Sequence, residues 1–461
     1  MKKAISPYLA FFLLIPGILC SCKKPGFLDK PSSSKLVLPN TLSSLQALLD
    51  NSEIMEQTPM LGELSADNFY LGYTLWQGLP SEEHNGYIWA ADVFDGQTGI
   101  ADWDLPYQQV FYANTVLAAL GALTINSDSL QEAGEIQGSA LFIRAYAFHQ
   151  LAQVFCNSYD PATASTDLGL PLRLNPDIDP PSVRSTVQQT YDRILSDLVQ
   201  ARNILPSTVP KNFRNRPSLP AMLAFKARVY LSMREYSLAG LCADSCLKLY
   251  DSLMDYNSLI GSMTLAITNL NRETLYQGSF PLNITALLGI VSQYCVIDST
   301  LFRSYGPEDL RPSVFFTTNV LGQPIAKGSY NGTIYPFSGL AIDEILLIRA
   351  ECYARAGNAI AAMTDLNILL FNRWKTGSFQ PLTAAGPGEA LALVLTERRK
   401  ELLMRGLRWT DLRRLNKEGA GITLTRVLDG KVYQLAPGDP KYILPIPPDV
   451  IAGSGMQQNP R

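Results

Sequence analysis

One four-residue pattern occurs twice in this chain and restricts its fold more than any other feature. Ala227, Tyr230, Ala239 and Ala243 stand at offsets of 0, 3, 12 and 16, and Ala350, Tyr353, Ala362 and Leu366 stand at the same offsets. The order small, aromatic, small, small-or-apolar marks a tetratricopeptide-type helical hairpin. Gly357 falls where the second hairpin must turn. Such hairpins cannot bury their apolar faces alone, so they imply a stacked helical scaffold. The copies lie far apart, which is not the layout of a plain tandem array. Residues 251–339 separate them, with mixed strand and loop character and many Gly, Asn, Thr and Tyr. A large insert of this kind forms the functional face of a helical scaffold.

Helical spacing dominates elsewhere. Asn40-Thr41-Leu42 opens a short helix with Leu42, Leu45, Leu48 and Leu49 on one face. Residues 107–123 and 130–155 read as helices, the second rich in alanine. Ser185-Thr186-Val187-Gln188 reads as a capping box opening a helix to Leu205, and Pro206 ends it. Residues 389–405 form a further helix, broken by Gly406 and resumed over 409–416. Residues 442–448 carry three prolines and suit an edge or a clasp. Residues 52–106 lack a sustained helical period, and unstructured stretches of this length are usually functional.

The N-terminus reads as an export signal. Lys2 and Lys3 precede an apolar run from Leu9 to Leu19, too short for a spanning helix of ~20 residues. Leu19 and Ser21 place an aliphatic and a small residue before Cys22, the pattern of a lipoprotein signal. Residues 1–21 are thus a signal peptide, Cys22 the lipidated residue and residues 22–40 a tether rich in Lys, Pro and Ser. Residues 41–461 form one domain. Cys156, Cys242, Cys246, Cys295 and Cys352 are odd in number and sit in mostly apolar segments, so they read as core thiols and not a disulfide framework.

Composition narrows the chemistry. Lys and Arg number 38 against 41 Asp and Glu, without the basic excess of a nucleic-acid binder. Two histidines, His84 and His149, disfavour a multi-histidine metal site. There is neither a G-x-S-x-G elbow nor a Walker-type loop. Asp92, Asp95, Asp102 and Asp104 raise catalytic carboxylates or a structural cation such as calcium; their spacing does not fit an EF-hand, and we expect no cofactor. The charges in residues 396–414 have helical spacing: Glu397 and Glu401 pair with Arg398, Arg399, Lys400 and Arg405 at a helix surface, and Arg408 and Asp411 continue the pattern. The early loop is the best ligand candidate. Asp67, Asn68, Tyr70, Tyr73, Trp76, Tyr87 and Trp89 combine rings, which stack on sugar C–H faces, with groups that bind hydroxyls. Tyr294, Tyr305 and Tyr330 are the insert's contributors, and Trp103 belongs to the core.

These pieces together resemble the SusD/RagB outer-membrane nutrient-binding lipoproteins, nearly end to end. The resemblance rests on the lipobox with Phe27-Leu28-Asp29, on WDLPYQQVFYAN (103–114), ALFIRAYAFHQLAQVF (140–155) and GLPL (169–172). EILLIRAECYARAG (344–357), TERRKELLMRGLRWTDLRR (396–414), LPIPPDVI (444–451) and QQNP (457–460) complete it. It implies a mainly α, tetratricopeptide-like scaffold with a loop-rich, partly β ligand face built from residues 52–106 and 251–339. It also implies a surface lipoprotein, not an enzyme, that binds a glycan and delivers it to a SusC-like TonB-dependent transporter. A peptide ligand, a secreted glycan-cleaving enzyme and a scaffold that binds only protein are the alternatives.

Overall fold

The computed structural model describes residues 39–259, 266–281, 295–333 and 335–461. Local chemistry starts the chain as read. Thr41 caps the helix Leu42–Leu49: its hydroxyl accepts from the Ser44 amide, while the Ser44 hydroxyl oxygen accepts from the Thr41 amide. Leu45 and Leu49 are buried.

Ala101–Ala122, Leu130–Phe155 and Val187–Ala201 pack in succession. Ala140, Ala145 and Ala147 are wholly buried in the middle helix, and side chains this small let neighbouring axes approach. The first helix starts before the expected Tyr107 and contains Pro106. Proline can donate no amide there, which is why the helical pattern reads cleanly only after it. The cap of the third helix also differs by one residue. Ser185 lies in the strand Arg184–Thr186 and donates to the Leu170 carbonyl at 2.7 Å. With that hydroxyl engaged, Thr186 caps the helix and Gln189 completes the box.

The two repeat motifs are hairpins. Leu219–Met233 and Tyr236–Leu249 turn through Arg234 in the left-handed region. Ile342–Arg355 and Ala359–Phe371 turn through Gly357 at φ +85°. Ala227, Ala239, Ala243, Ala350 and Ala362 are fully buried. The hairpins are neighbours in space: Tyr236–Leu249 packs on Ile342–Arg355. A Cβ on Gly240 would lie 3.0 Å from the Cys352 Cβ, so glycine permits this closeness. Arg349 ties the pair by bonding Asp244 at 2.9 Å and Asp365 at 2.8 Å. Pro387–Glu401 packs against the second hairpin. The architecture is therefore mainly α and tetratricopeptide-like, with the insert leaving and returning between stacked repeats.

The stretch 52–106 is more ordered than its sequence pattern implies. Four short helices, Ser52–Met55, Leu61–Ser65, Tyr73–Gln77 and Ser81–Tyr87, surround the strand Phe69–Leu71. That strand joins the insert in a four-stranded antiparallel sheet, in the order Phe69–Leu71, Cys295–Ile297, Pro324–Ala326, Phe316–Thr318. The closing segment acts as a clasp. The Leu444 amide donates to the Val154 carbonyl at 3.0 Å, and the Asn459 amide group donates to Phe155 and Leu444 carbonyls at 2.9 and 2.7 Å. Cys156, Cys242, Cys246, Cys295 and Cys352 are free thiols, all buried save the half-buried Cys242.

Candidate ligand-binding site

The sheet brings together the two regions expected to form one face. Tyr70 pairs with Val296, and Val296 with Ile325. Side chains alternate along a strand, so Phe69 and Leu71 turn into the core while Tyr70 stays 39% exposed. The next helix presents Tyr73, which is 37% exposed and accepts a hydrogen bond from Gln77 at 2.7 Å. Trp76, one helical turn on, lies beneath this surface. Its ring centroid is 5.8 Å from that of Tyr73 and stacks on His84 at 3.9 Å. Its indole N–H donates to the His84 carbonyl at 2.9 Å. Tyr433 reaches the same place at 6.3 Å from Trp76, with the Lys431 ammonium 4.7 Å over its ring.

Asp67 is half-buried and paired, and Asn68, Tyr87 and Trp89 are held inside. Asp67 binds Arg408 through both carboxylate oxygens, at 2.7 and 2.9 Å, and Arg399 at 3.3 Å. Burial opposes its charge, but these guanidiniums hold the carboxyl below its ordinary pKa. Asn68 is 1% exposed and donates to Glu63 at 2.7 Å. Tyr87 is 1% exposed; its hydroxyl oxygen accepts from the Leu71 amide at 2.8 Å, and the Arg426 guanidinium lies 4.2 Å over its ring. Trp89 is 2% exposed and donates to the Ser65 carbonyl at 3.0 Å. The expectation of surface contacts from Asn68, Trp76, Tyr87 and Trp89 is thus corrected: each is buried and frames the loop from within. Tyr294 and Cys22 lie outside the described residues. Tyr330 is buried with its hydroxyl on Glu273, and Tyr305 donates to the Lys400 carbonyl at 2.8 Å.

Residues 396–414 depart from a solvated helix surface. Their charges are largely buried; the expected Glu397–Lys400 pair forms at 2.7 Å, but most of the others pair between elements. Glu401 accepts from Arg373 at 2.7 Å and Arg311 at 3.2 Å, and Glu397 accepts from Arg311 at 2.6 Å. Arg373 also binds Glu273 of the insert at 2.9 Å. Arg405 reaches Asp343 at 2.8 Å, and Arg414 reaches Glu351 at 2.6 Å. Burial pushes the Glu273 carboxyl up to about 7 despite Arg373. Asp411 goes the other way: burial opposes its charge, yet Arg398 and Arg414 bring it down to about 2. Charges buried this deeply need partners, and the partners here lock the insert to the scaffold.

The four aspartates do separate local work. Asp102 accepts from the Met60 and Leu61 amides at 2.9 and 2.7 Å, at the start of Leu61–Ser65, and burial raises its carboxyl to about 7. Asp92 accepts from the Phe94 and Asp95 amides at 3.2 and 3.0 Å. Asp95 is exposed in the left-handed region, and burial raises Asp104. Among the described residues, His, Cys, Asp and Glu form no group of three placed to hold a metal. His84 and Tyr433 were missed by the sequence reading. Tyr433 had a usable signal: Asp429-Gly430 between alternating apolar residues is a strong hairpin signature, and Leu424–Leu428 pairs with Lys431–Leu435 across it.

A helical-repeat scaffold carrying an aromatic patch on a small sheet is the build of a binding protein. Two family comparisons fit it. The SusD-like family described as "Starch-binding associating with outer membrane" matches residues 26–231, and the SusD family (SusD/RagB) matches residues 340–461. This chain belongs to the SusD/RagB family. A SusD superfamily protein from Bacteroides thetaiotaomicron VPI-5482 is similar in structure, with TM-score 0.75, 20% identity, and coverage of 91% of this chain and 100% of that one. A SusD-like carbohydrate binding protein from Bacteroides vulgatus ATCC 8482 gives 0.66 at 16% identity, covering 90% and 97%. A laminarin binding SusD-like protein gives 0.65 at 14%, covering 91% and 98%. At these identities the likeness concerns the fold. No curated protein matches the chain in sequence.

Proposed function

We propose that this chain is a cell-surface lipoprotein that binds a nutrient oligosaccharide and passes it to a SusC-like TonB-dependent transporter. Cys22 carries the lipid, residues 22–40 are the tether, and residues 41–461 act as one binding domain. The observation that carries the reading is the pairing of Phe69–Leu71 with Cys295–Ile297, which sets exposed Tyr70 beside the insert, with exposed Tyr73 on the helix that follows. Tyr rings are rigid and amphipathic, with an apolar body and a polar tip. The family description that names starch and the outer membrane supports a glycan ligand. The chain's own work is binding and orientation, while transport energy comes from the partner. Tyr70 and Tyr73 touch the ligand, Trp76 and Asp67 hold the surface in place, and Asn68, Tyr87 and Trp89 frame it.

Calorimetry with neutral oligosaccharides tests this on wild type and Tyr73→Ala. The expected result is measurable affinity that falls at least tenfold in the variant. Wild-type protein that ignores a broad oligosaccharide panel overturns the glycan reading, and selective binding of peptides would replace it. Co-purification of a TonB-dependent barrel from native membranes tests the partner; repeated recovery without one overturns that step.

A further inference from the structure

A cavity of about 400 Å³ opens between Pro387–Glu401, Arg408–Lys417 and the short insert helix Ser299–Arg303. The size falls within the roughly 300–1,000 Å³ of small-molecule sites. Arg398, Arg399 and Arg408 line it, against Asp411 alone among the acids in its wall. Arg398 is paired with Asp411 at 2.8 Å, which leaves Arg399 and Arg408 as the guanidiniums the wall can offer a ligand.

The guanidiniums are held from behind. Arg408 spends Nε and Nη2 on the Asp67 carboxylate. Arg399 spends Nη2 on the Asp67 carbonyl at 2.7 Å and carboxylate at 3.3 Å, with Asp298 at 3.5 Å. Nη1 of each has no protein partner among the described residues and is not among the enclosed unpartnered atoms, and the two side chains keep 22% and 12% exposure. Burial pulls Arg399 below its ordinary pKa against the opposing pull of Asp67 and Asp298, whereas burial of Arg408 is outweighed by Asp67, which holds it above its own. Thr300 and Thr396 add hydroxyls at the rim, while Leu301 and Ile422 add apolar wall. Planar guanidinium groups match carboxylates, and a mixed wall of hydroxyl and aliphatic groups suits a sugar ring.

We infer that this cavity is a subsite for an anionic sugar, a uronic-acid residue whose carboxylate is received by Nη1 of Arg399 and Arg408. Asp67 is then a positioning residue that presents both guanidiniums. The inference rests on the glycan-binding reading and assigns it a substrate class.

Affinity electrophoresis in gels holding galacturonan or alginate tests it, with laminarin and xyloglucan as neutral probes. Wild-type protein should be retarded by an acidic glycan, and 0.5 M NaCl should weaken that retention at least tenfold, as screening requires. Arg399→Gln should lose the acidic retention. Thr300→Glu, which sets a carboxylate in the wall of the cavity, should lose it too. Retention on neutral glycans alone overturns the subsite and leaves the glycan reading intact. Retention on none of the probes overturns both. Acidic retention that survives Thr300→Glu and 0.5 M NaCl places the anion elsewhere and overturns the assignment.

Discussion

Substituting Trp76 and Tyr73 separately distinguishes a buried support from a ligand contact. Trp76 is 6% exposed, stacked on His84 at 3.9 Å and bonded to the His84 carbonyl at 2.9 Å. Trp76→Ala removes a large buried ring, for which about 3–5 kcal/mol is usual. The lost hydrogen bond falls within that range, because the freed carbonyl can be hydrated through the opening. An unfolding entropy near 2.1 cal/mol/K per residue gives this chain of 461 residues roughly 1 kcal/mol/K. The expected fall in Tm is therefore about 3–5 °C. Tyr73 is 37% exposed, with one surface hydrogen bond to Gln77, so Tyr73→Ala should change stability by less than about 1 kcal/mol. Its ligand affinity should nevertheless fall at least tenfold, the 1.4 kcal/mol of a single lost aromatic contact. Differential scanning calorimetry reads the first effect and isothermal titration the second. Trp76→Ala with unchanged Tm and abolished binding would refute the division, because Trp76 would then be a contact and not a support.

Further outcomes follow from the interior. Arg373→Met leaves Glu273 and Glu401 buried beside one another and should cost about 3–5 kcal/mol, read from denaturant midpoints; a loss below about 1 kcal/mol would show that the network does not hold the insert. Asp102 and Glu63 have folded pKa values raised to about 7 from 3.8 and 4.5. The folded state thus binds more protons than the unfolded chain between about pH 4 and pH 7, and stability from these groups falls as pH rises through that window. Asp102→Asn should flatten the decline between about pH 4 and pH 7, and an unchanged slope counts against a protonated Asp102. Gly240→Leu should force the hairpins apart at Cys352 and cost about 1–3 kcal/mol; thermal melts that match wild type would mean the interface yields freely.

The sequence by itself determined what depends on neighbours within one or two turns. The cap at Thr41, the span Leu130–Phe155, the turn at Gly357 and the small residues of both hairpins are set by spacing and backbone freedom. Family membership was legible for the same reason, since it resides in ordered local motifs. The site was legible only in outline. Tyr70 and Tyr73 reach the surface, yet Tyr87 and Trp89, with similar composition around them, are buried. Nothing local separates the two pairs; the strand pairing with Cys295–Ile297 and the guanidinium of Arg426, more than 330 positions away, decide which rings turn inward. The charges of residues 396–414 make the same point. Helical spacing proposes partners four residues apart at a surface. Burial in a low-dielectric interior raises the cost of any unpaired charge, so Arg373, Arg311, Asp343 and Glu351 become the partners once the chain has folded.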